Sequence, residues 1–256
     1  MTRTIAVINR KGGSGKTTST VNIGAGLSRL KHKTLLIDLD PQANLTYHLG
    51  IKPGELRATI AEVIEGRAGI EEATLERAGL DIIPSKLSLA DTEARIFNLK
   101  GREFLLKEAL AGLKRGYSFI LIDCPPSLGL FTLNALVASR EVFIPLEVEA
   151  LALQGLKAIL DIIEIVKGRL NPGLEIGGII PAKFDSRKNL NREVLETIRG
   201  HFGELVFKTI IRETVKLAES PSYGRDIFNY APKSYGAADY LELCKEILRK
   251  GAKAHE

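Results

Sequence analysis

The densest chemistry in the chain lies in ten consecutive residues, Asn9-Arg10-Lys11-Gly12-Gly13-Ser14-Gly15-Lys16-Thr17-Thr18. Glycines at 12, 13 and 15 let the backbone curl with its N–H groups turned inward. Such a cradle, running into the start of a helix, holds phosphate oxygens. The nucleotide-binding set read from this loop is Gly12, Gly13, Ser14, Gly15, Lys16, Thr17 and Thr18. Lys16 is suited to reach the β- and γ-phosphates of a nucleoside triphosphate, and the Thr17 hydroxyl to ligate magnesium. The common phosphate-loop pattern wants glycine where Arg10 stands. What appears instead is Lys-Gly-Gly-x-Gly-Lys-Thr, with an extra cation, Lys11, at the start of the loop.

Two carboxylate motifs fit the same site. Ile120-Leu121-Ile122-Asp123 is an apolar run ending in an acid, the form of a Walker B strand that holds magnesium through water. An acid at a strand end also serves as a helix cap or a turn former; beside a phosphate loop, the metal role is the one we adopt. Leu35-Leu36-Ile37-Asp38-Leu39-Asp40 sets two acids two residues apart, on one side of a continuing strand. Thr17, Asp38 and Asp123 are therefore the candidate metal ligands.

The elements that must position these groups are legible as alternating patterns. Strands are expected at 4–9, 34–38, 80–84, 119–123, 142–145, 176–181 and 206–211, with helices at 17–30, 151–170, 191–202 and about 237–250. The runs 35–37 and 120–122 are continuously apolar, as in strands covered on both faces. Strand, helix, strand repeated this way predicts an α/β fold, doubly wound, with a mostly parallel sheet flanked by helices. Both acid motifs then fall at the carboxyl end of the sheet, where such folds bind ligands. Residues 50–79 are the least regular and read as short helices on the rim. With no linker or repeat in view, the whole span 1–256 is expected to be one domain.

Composition sets the boundaries. In 256 residues, 45% are hydrophobic and 26% charged, an ordinary globular balance. The two cysteines, Cys124 and Cys244, suit a reducing compartment and are too few for a multi-cysteine metal site in one chain. There is no secretory h-region and no run of 18 apolar residues, so a cytoplasmic protein is expected. The formal net charge is +5, and no acidic residue precedes Asp38; that balance favours polyanionic partners.

The chain resembles the ParA/Soj family of deviant-Walker, MinD-like P-loop ATPases, the DNA-segregation ATPases. The resemblance covers nearly the whole length and rests on Lys11–Thr18, Asp38-Leu39-Asp40-Pro41-Gln42 and Asp123-Cys124-Pro125-Pro126-Ser127. It continues through Ala152-Leu153-Gln154-Gly155-Leu156, Glu219-Ser220-Pro221-Ser222-Tyr223-Gly224 and Tyr230-Ala231-Pro232-Lys233-Ser234. It implies binding of ATP with Mg2+, weak hydrolysis, and a homodimer that sandwiches nucleotide. Lys11 then joins the nucleotide set as a cation reaching the partner's phosphates, in the manner of an arginine finger. Lys11, Lys16 and Asp40 become the catalytic candidates, with Asp40 orienting the attacking water. The family's base-reading segments fall at Ala182-Lys183 and 210–213, where this chain departs from the usual residues. Ile211 and Glu213 are the expected base contacts.

The resemblance also implies non-specific DNA binding by the dimer and stimulation by a ParB-like activator. The candidate DNA surface spans 183–216, with Arg187, Lys188, Arg192, Lys208, Arg212 and Lys216 as contacts. Spaced cations of this kind suit phosphate contacts, and equally suit an ordinary solvated helix face. Arg212 stands where the resemblance places a DNA-contacting arginine, and nucleoid association is the expected location. The alternative is a MinD-like membrane-cycling ATPase, which needs a C-terminal amphipathic helix facing lipid; the stripe in 241–250 reads instead as a final core helix. Electron transfer as in nitrogenase-type iron proteins needs two bridging cysteines per subunit, whereas Cys124 and Cys244 read as buried small apolar residues. Small-molecule ligases with the same loop offer no counterpart to the C-terminal blocks.

Overall fold

Side chains alternate between two cores along each central strand, which is why those strands read as unbroken apolar runs. Leu35 and Ile37 enter one core and Leu36 the other. Ile120 and Ile122 likewise oppose Phe119 and Leu121. The computed structural model describes residues 2–52, 54, 56–149 and 152–253. One sheet contains β1 (Arg3–Val7), β2 (Thr34–Asp38), β3 (Leu75–Arg77), β4 (Leu80–Ile83), β5 (Phe119–Asp123), β6 (Glu141–Glu147) and β7 (Glu175–Ala182). The order is β3-β4-β2-β5-β1-β6-β7, parallel throughout except where β3 meets β4.

The helices divide between the two faces. α1 (Lys16–Arg29) and α2 (Asn44–His48) share one face with three helices from the end of the chain. The other face is covered by α3 (Ile60–Ile64), α4 (Ile70–Ala73), α5 (Leu89–Ile96), α6 (Leu105–Ala111), α7 (Leu130–Ala138), α8 (Ala152–Arg169) and α9 (Asn189–Phe202). α10 (Val215–Glu219), α11 (Ile227–Tyr230) and α12 (Tyr235–Lys253) complete the first face. The doubly wound, mostly parallel sheet expected from the alternation is present. The predicted start of α8 at Leu151 lies outside the described residues.

Two readings need correction. Residues 75–77 form a strand rather than part of a helical rim. Ala78 and Gly79 both take positive φ, 52° and 76°, and turn β3 back antiparallel onto β4. Paired left-handed residues are what a two-residue hairpin demands, and Ala-Gly in place of Asn-Gly hid the signal.

The strand expected at 206–211 does not form. Only isolated bridges tie Val206 to Ile179 and Arg212 to Phe184. Between them the Lys208 and Thr209 N–H groups donate to the Glu246 carboxylate of α12, at 2.8 and 2.9 Å, and so leave the ladder. The segment still packs on β7, where the Phe207 ring occupies the space a side chain at Gly178 would need. A Cβ there would stand 2.3 Å from a ring carbon. Phe207 is pinned from behind by Phe143, edge to face at 5.4 Å. Gly178→Ala should therefore destabilise the protein by about 1–3 kcal/mol through overpacking, with Phe207→Leu relieving part of the loss in the double variant. Urea unfolding measures both, and a Gly178→Ala midpoint equal to wild type would sink this account.

Candidate nucleotide site

The phosphate loop is set by β1 and α1. Asn9 anchors its start by donating to the Pro145 carbonyl at 2.7 Å and accepting the Lys11 N–H at 3.0 Å. Gly13 and Gly15 take φ of 74° and 92°, the left-handed region closed to most side chains. α1 then begins at Lys16 with no side chain capping it and no acid in its first turn. Its first N–H groups and the positive end of its dipole remain for an anion. The Ser14 hydroxyl in the same loop is buried and has no hydrogen-bond partner. A buried orphan hydroxyl is costly unless a ligand satisfies it. The loop is built for phosphate.

Behind the loop the carboxylates line up. Val7, Asp123 and Asp38 are paired in register across β1, β5 and β2. Thr17 donates to Asp123 at 2.7 Å, and Thr20 reaches its other oxygen at 3.3 Å. Asp38 accepts from the Thr46 N–H at 2.9 Å, the Thr46 hydroxyl at 2.7 Å and the Asp40 N–H at 3.2 Å. Burial raises the Asp38 pKa to about 7. Burial, with Asp38 beside it, pushes Asp123 to about 8. Lys16 is nearly buried, and desolvation lowers its pKa against the pull of Asp123 and Asp40. Its ammonium donates to the Lys11 carbonyl at 3.3 Å.

A hydroxyl and a carboxylate 2.7 Å apart, beside a second buried carboxylate, are the hard oxygen donors magnesium takes. Among the described residues no group of three or more His, Cys, Asp or Glu could hold a metal. An octahedral cation here would therefore need phosphate oxygens and water to complete its shell, the usual arrangement for magnesium in phosphate sites.

Two cavities open from the loop. One, of about 310 Å³, is lined by Gly12, Gly13, Lys16, Thr17, Asp40 and His48 among others. The second, of about 800 Å³, is lined by Ile211, Glu213, Phe184, Val215, Tyr235 and Tyr240, among others. Gly15, Thr18 and Lys183 border both. Gly12, Gly13, Gly15, Lys16, Thr17, Thr18, Asp40, Ile211 and Glu213 therefore meet in one groove. Asp38 and Asp123 line neither cavity.

Lys11 points elsewhere. Its ammonium pairs with Glu147 at 2.7 Å and with Glu149, and its pKa is raised, first by Glu147. The six cations expected on a DNA surface are not gathered into one unpaired strip. Arg187 pairs with Asp185, Lys188 with Glu213, Arg212 with Asp239 and Lys216 with Glu219. Arg187 and Arg212 line the larger cavity. Arg192 donates to the Ser186 carbonyl, and Lys208 lies exposed beyond α9.

The sequence reading missed several walls of the groove: Asn44, His48, Pro221, Phe184, Thr214 and Tyr235. Pro221 lies in a block already tied to the family; the others carry no local signal. His48 is 2% exposed, and its Nε2 lies 3.5 Å from the Ser220 hydroxyl. Burial lowers its pKa to about 4.

An AAA domain family profile matches residues 2–176. The sporulation initiation inhibitor protein Soj of Bacillus subtilis strain 168 is 42% identical over 255 residues, 98% of this chain and 100% of that protein. The chromosome partitioning protein ParA of Myxococcus xanthus is 42% identical over 250 residues, 97% of this chain and 88% of that one. Among solved structures, cobyrinic acid a,c-diamide synthase from Mycobacterium smegmatis with bound ADP and magnesium superposes with a TM-score of 0.87. It is 37% identical, and the match covers 99% of this chain and 97% of that one.

A neutral buried histidine makes the groove acid-sensitive. Because the folded pKa of His48 is below its unfolded value, its contribution to stability is complete above pH 6.5 and is lost as pH falls toward 4. The loss is on the order of 3 kcal/mol at pH 4. His48→Gln should flatten the stability profile across that window, as read by urea unfolding at stepped pH; parallel wild-type and variant profiles would refute the assignment.

Proposed function

This chain belongs to the ParA/Soj family of P-loop ATPases, and from that premise we propose that it is a nucleotide-switched partitioning ATPase. Its ATP-bound form is a sandwich dimer that holds DNA without sequence preference, and a ParB-like activator resets it. The observation that carries the reading is the groove itself. A phosphate cradle with an orphan hydroxyl, a smaller cavity with Asp40 on its wall and a roomy second cavity share the borders Gly15 and Thr18. The partitioning role is drawn from the two relatives matched over most of their length. The ligase reading has only the structural neighbour's name behind it.

In hydrolysis Lys16 neutralises the β- and γ-phosphates from within its own subunit, aided by the N–H groups of Gly12–Thr18. Thr17 and Asp123 would hold magnesium, which would supply the remaining charge neutralisation. Asp40 is 6% exposed and opens onto the phosphate cavity; its Oδ1 accepts the Gln42 N–H at 2.9 Å, which fixes the carboxylate to orient a water. Asp38 holds that segment in place by accepting the Asp40 N–H. Lys11 completes the charge balance in trans, so it must exchange Glu147 and Glu149 for the partner's phosphates. Ile211 and Glu213 border the base. DNA is held by Arg187, Lys188, Arg192, Lys208 and Lys216, of which Arg187, Lys188 and Lys216 must exchange their acid partners for phosphate. Arg212 is held between Tyr235 and the nearly buried Asp239. Against the membrane-cycling alternative, the apolar stripe of α12 faces the core, where Tyr240, Leu243, Cys244 and Ile247 are all buried. No described helix is long and apolar enough to cross a membrane.

Lys11→Ala should bind ATP yet remain monomeric, and Asp40→Ala should accumulate an ATP-bound dimer with slow turnover. Light scattering with ATP separates them, and a Lys11→Ala protein that dimerises like wild type removes the sandwich. DNA affinity should rise with a non-hydrolysable ATP analogue over ADP. It should fall with salt at a slope of about −0.9 per phosphate contact, about twice as steep for the dimer as for the monomer. Arg192→Glu and Lys208→Glu should weaken it uniformly across sequences. Fluorescence anisotropy on random duplex reads all three effects; equal affinity in both nucleotide states refutes the switch.

A further inference from the structure

Tyr235, the first residue of α12, carries a ring that is 68% exposed on the wall of the larger cavity. A large aromatic left in water is not explained by packing, yet this one is held firmly. The Arg212 guanidinium lies 4.2 Å from its ring centroid. Arg212 is itself fixed by two side-chain bonds to Asp239, from Nε at 3.0 Å and from the guanidinium terminus at 2.5 Å. Asp239 also accepts the Arg212 backbone N–H at 3.1 Å and is 8% exposed. Since Asp239 sits four residues along α12 from Tyr235, one helical turn presents the ring and the carboxylate that locks its cation. Ring, guanidinium and carboxylate form a braced stack with aromatic surface left open to the cavity.

Ala182, Phe184, Ile211 and Val215 give that cavity apolar wall for a flat guest beside charged residues such as Lys183, Arg187 and Glu213, and the Gly15 and Thr18 borders connect it to the phosphate loop. A nucleotide with its phosphates on Gly12–Thr18 sends its base into this space. We propose that Tyr235, braced by Arg212 and Asp239, is the platform on which the nucleotide base stacks. Arg212 accordingly belongs to the nucleotide site and not to the DNA surface. The proposal rests on the phosphate-loop reading and adds to it the residue that holds the base. Stacking draws on the π-face common to all bases, so this platform grips a purine strongly without telling adenine from guanine. Discrimination is left to polar groups at the rim such as Glu213.

The test compares ATP with inorganic tripolyphosphate, both with magnesium, by calorimetry on wild type, Tyr235→Ala, Tyr235→Phe and Arg212→Ala. Tyr235→Ala should weaken ATP roughly tenfold, the scale of one base stacked on an aromatic ring, and leave tripolyphosphate unchanged. Tyr235→Phe should restore ATP affinity. Arg212→Ala should fall between wild type and Tyr235→Ala for ATP, with no change in the salt slope of DNA binding. Equal ATP affinity in wild type and Tyr235→Ala overturns the platform, as does an equal loss of both ligands. If wild type binds ATP but not tripolyphosphate, the phosphate loop is misread, and the ATP arm alone still decides the platform. A wild type that binds neither overturns both.

Discussion

Asp38 and Asp123 face the same problem from neighbouring strands: each is a carboxylate in register with the other and fully screened from water. Burying such a charge is expensive: burial raises the pKa of both toward neutrality, and Asp123 is raised further by Asp38 beside it. The surroundings of the site answer that cost. Three hydrogen bonds converge on Asp38, two hydroxyls turn toward Asp123, and the nearly buried Lys16 ammonium adds the compensating charge. A magnesium ion would balance the acids, and a triphosphate would balance the lysine. The pair would therefore couple the two ligands, because each would complete a charge balance that the other leaves unfinished.

Thr46 shows how that coupling extends outward. Its hydroxyl donates to Asp38 and accepts the Ser85 N–H at 2.9 Å, while the Ser85 hydroxyl donates to the Asp40 carbonyl at 2.8 Å. One chain of bonds thus links the ends of β2 and β4 to the segment that carries Asp40. The C-terminal blocks meet the loop from the other side. Pro221 lines the phosphate cavity, Ser220 lies beside His48, and the Ile227 N–H donates to Asn22 of α1 at 2.8 Å. Block 219–224 is thus a neighbour of the phosphate loop in space through Pro221.

What could be read from the sequence was what local pattern decides. Glycine spacing gave the loop, and the unbroken apolar runs at 35–37 and 120–122 gave strands with two covered faces, which the two cores show. What escaped was set by distant partners. Residues 206–211 have the composition of a strand, but Glu246 takes the Thr209 N–H that a ladder to β7 would need, together with that of Lys208. Arg212 looked like a free surface cation because nothing near it in sequence announces Asp239, 27 positions on. Tyr235 carried no signal at all, since an aromatic at a helix start gains meaning only from the cavity it borders.

The two borders of the sheet differ in kind, and the difference bears on how copies of this chain can assemble. At one border β3 is only three residues long and runs antiparallel, with Glu76 and Arg77 exposed. At the other, residues 206–212 lie along β7 and take up backbone groups through Phe207, Ile211 and Phe184. Short, charged or covered borders are poor templates for a neighbouring strand. Growth by edge-to-edge β-pairing, the route that leads to amyloid, is thereby discouraged at both ends. Any higher-order array of this protein would be built from repeated contacts between surfaces, and could be taken apart again without unfolding a strand.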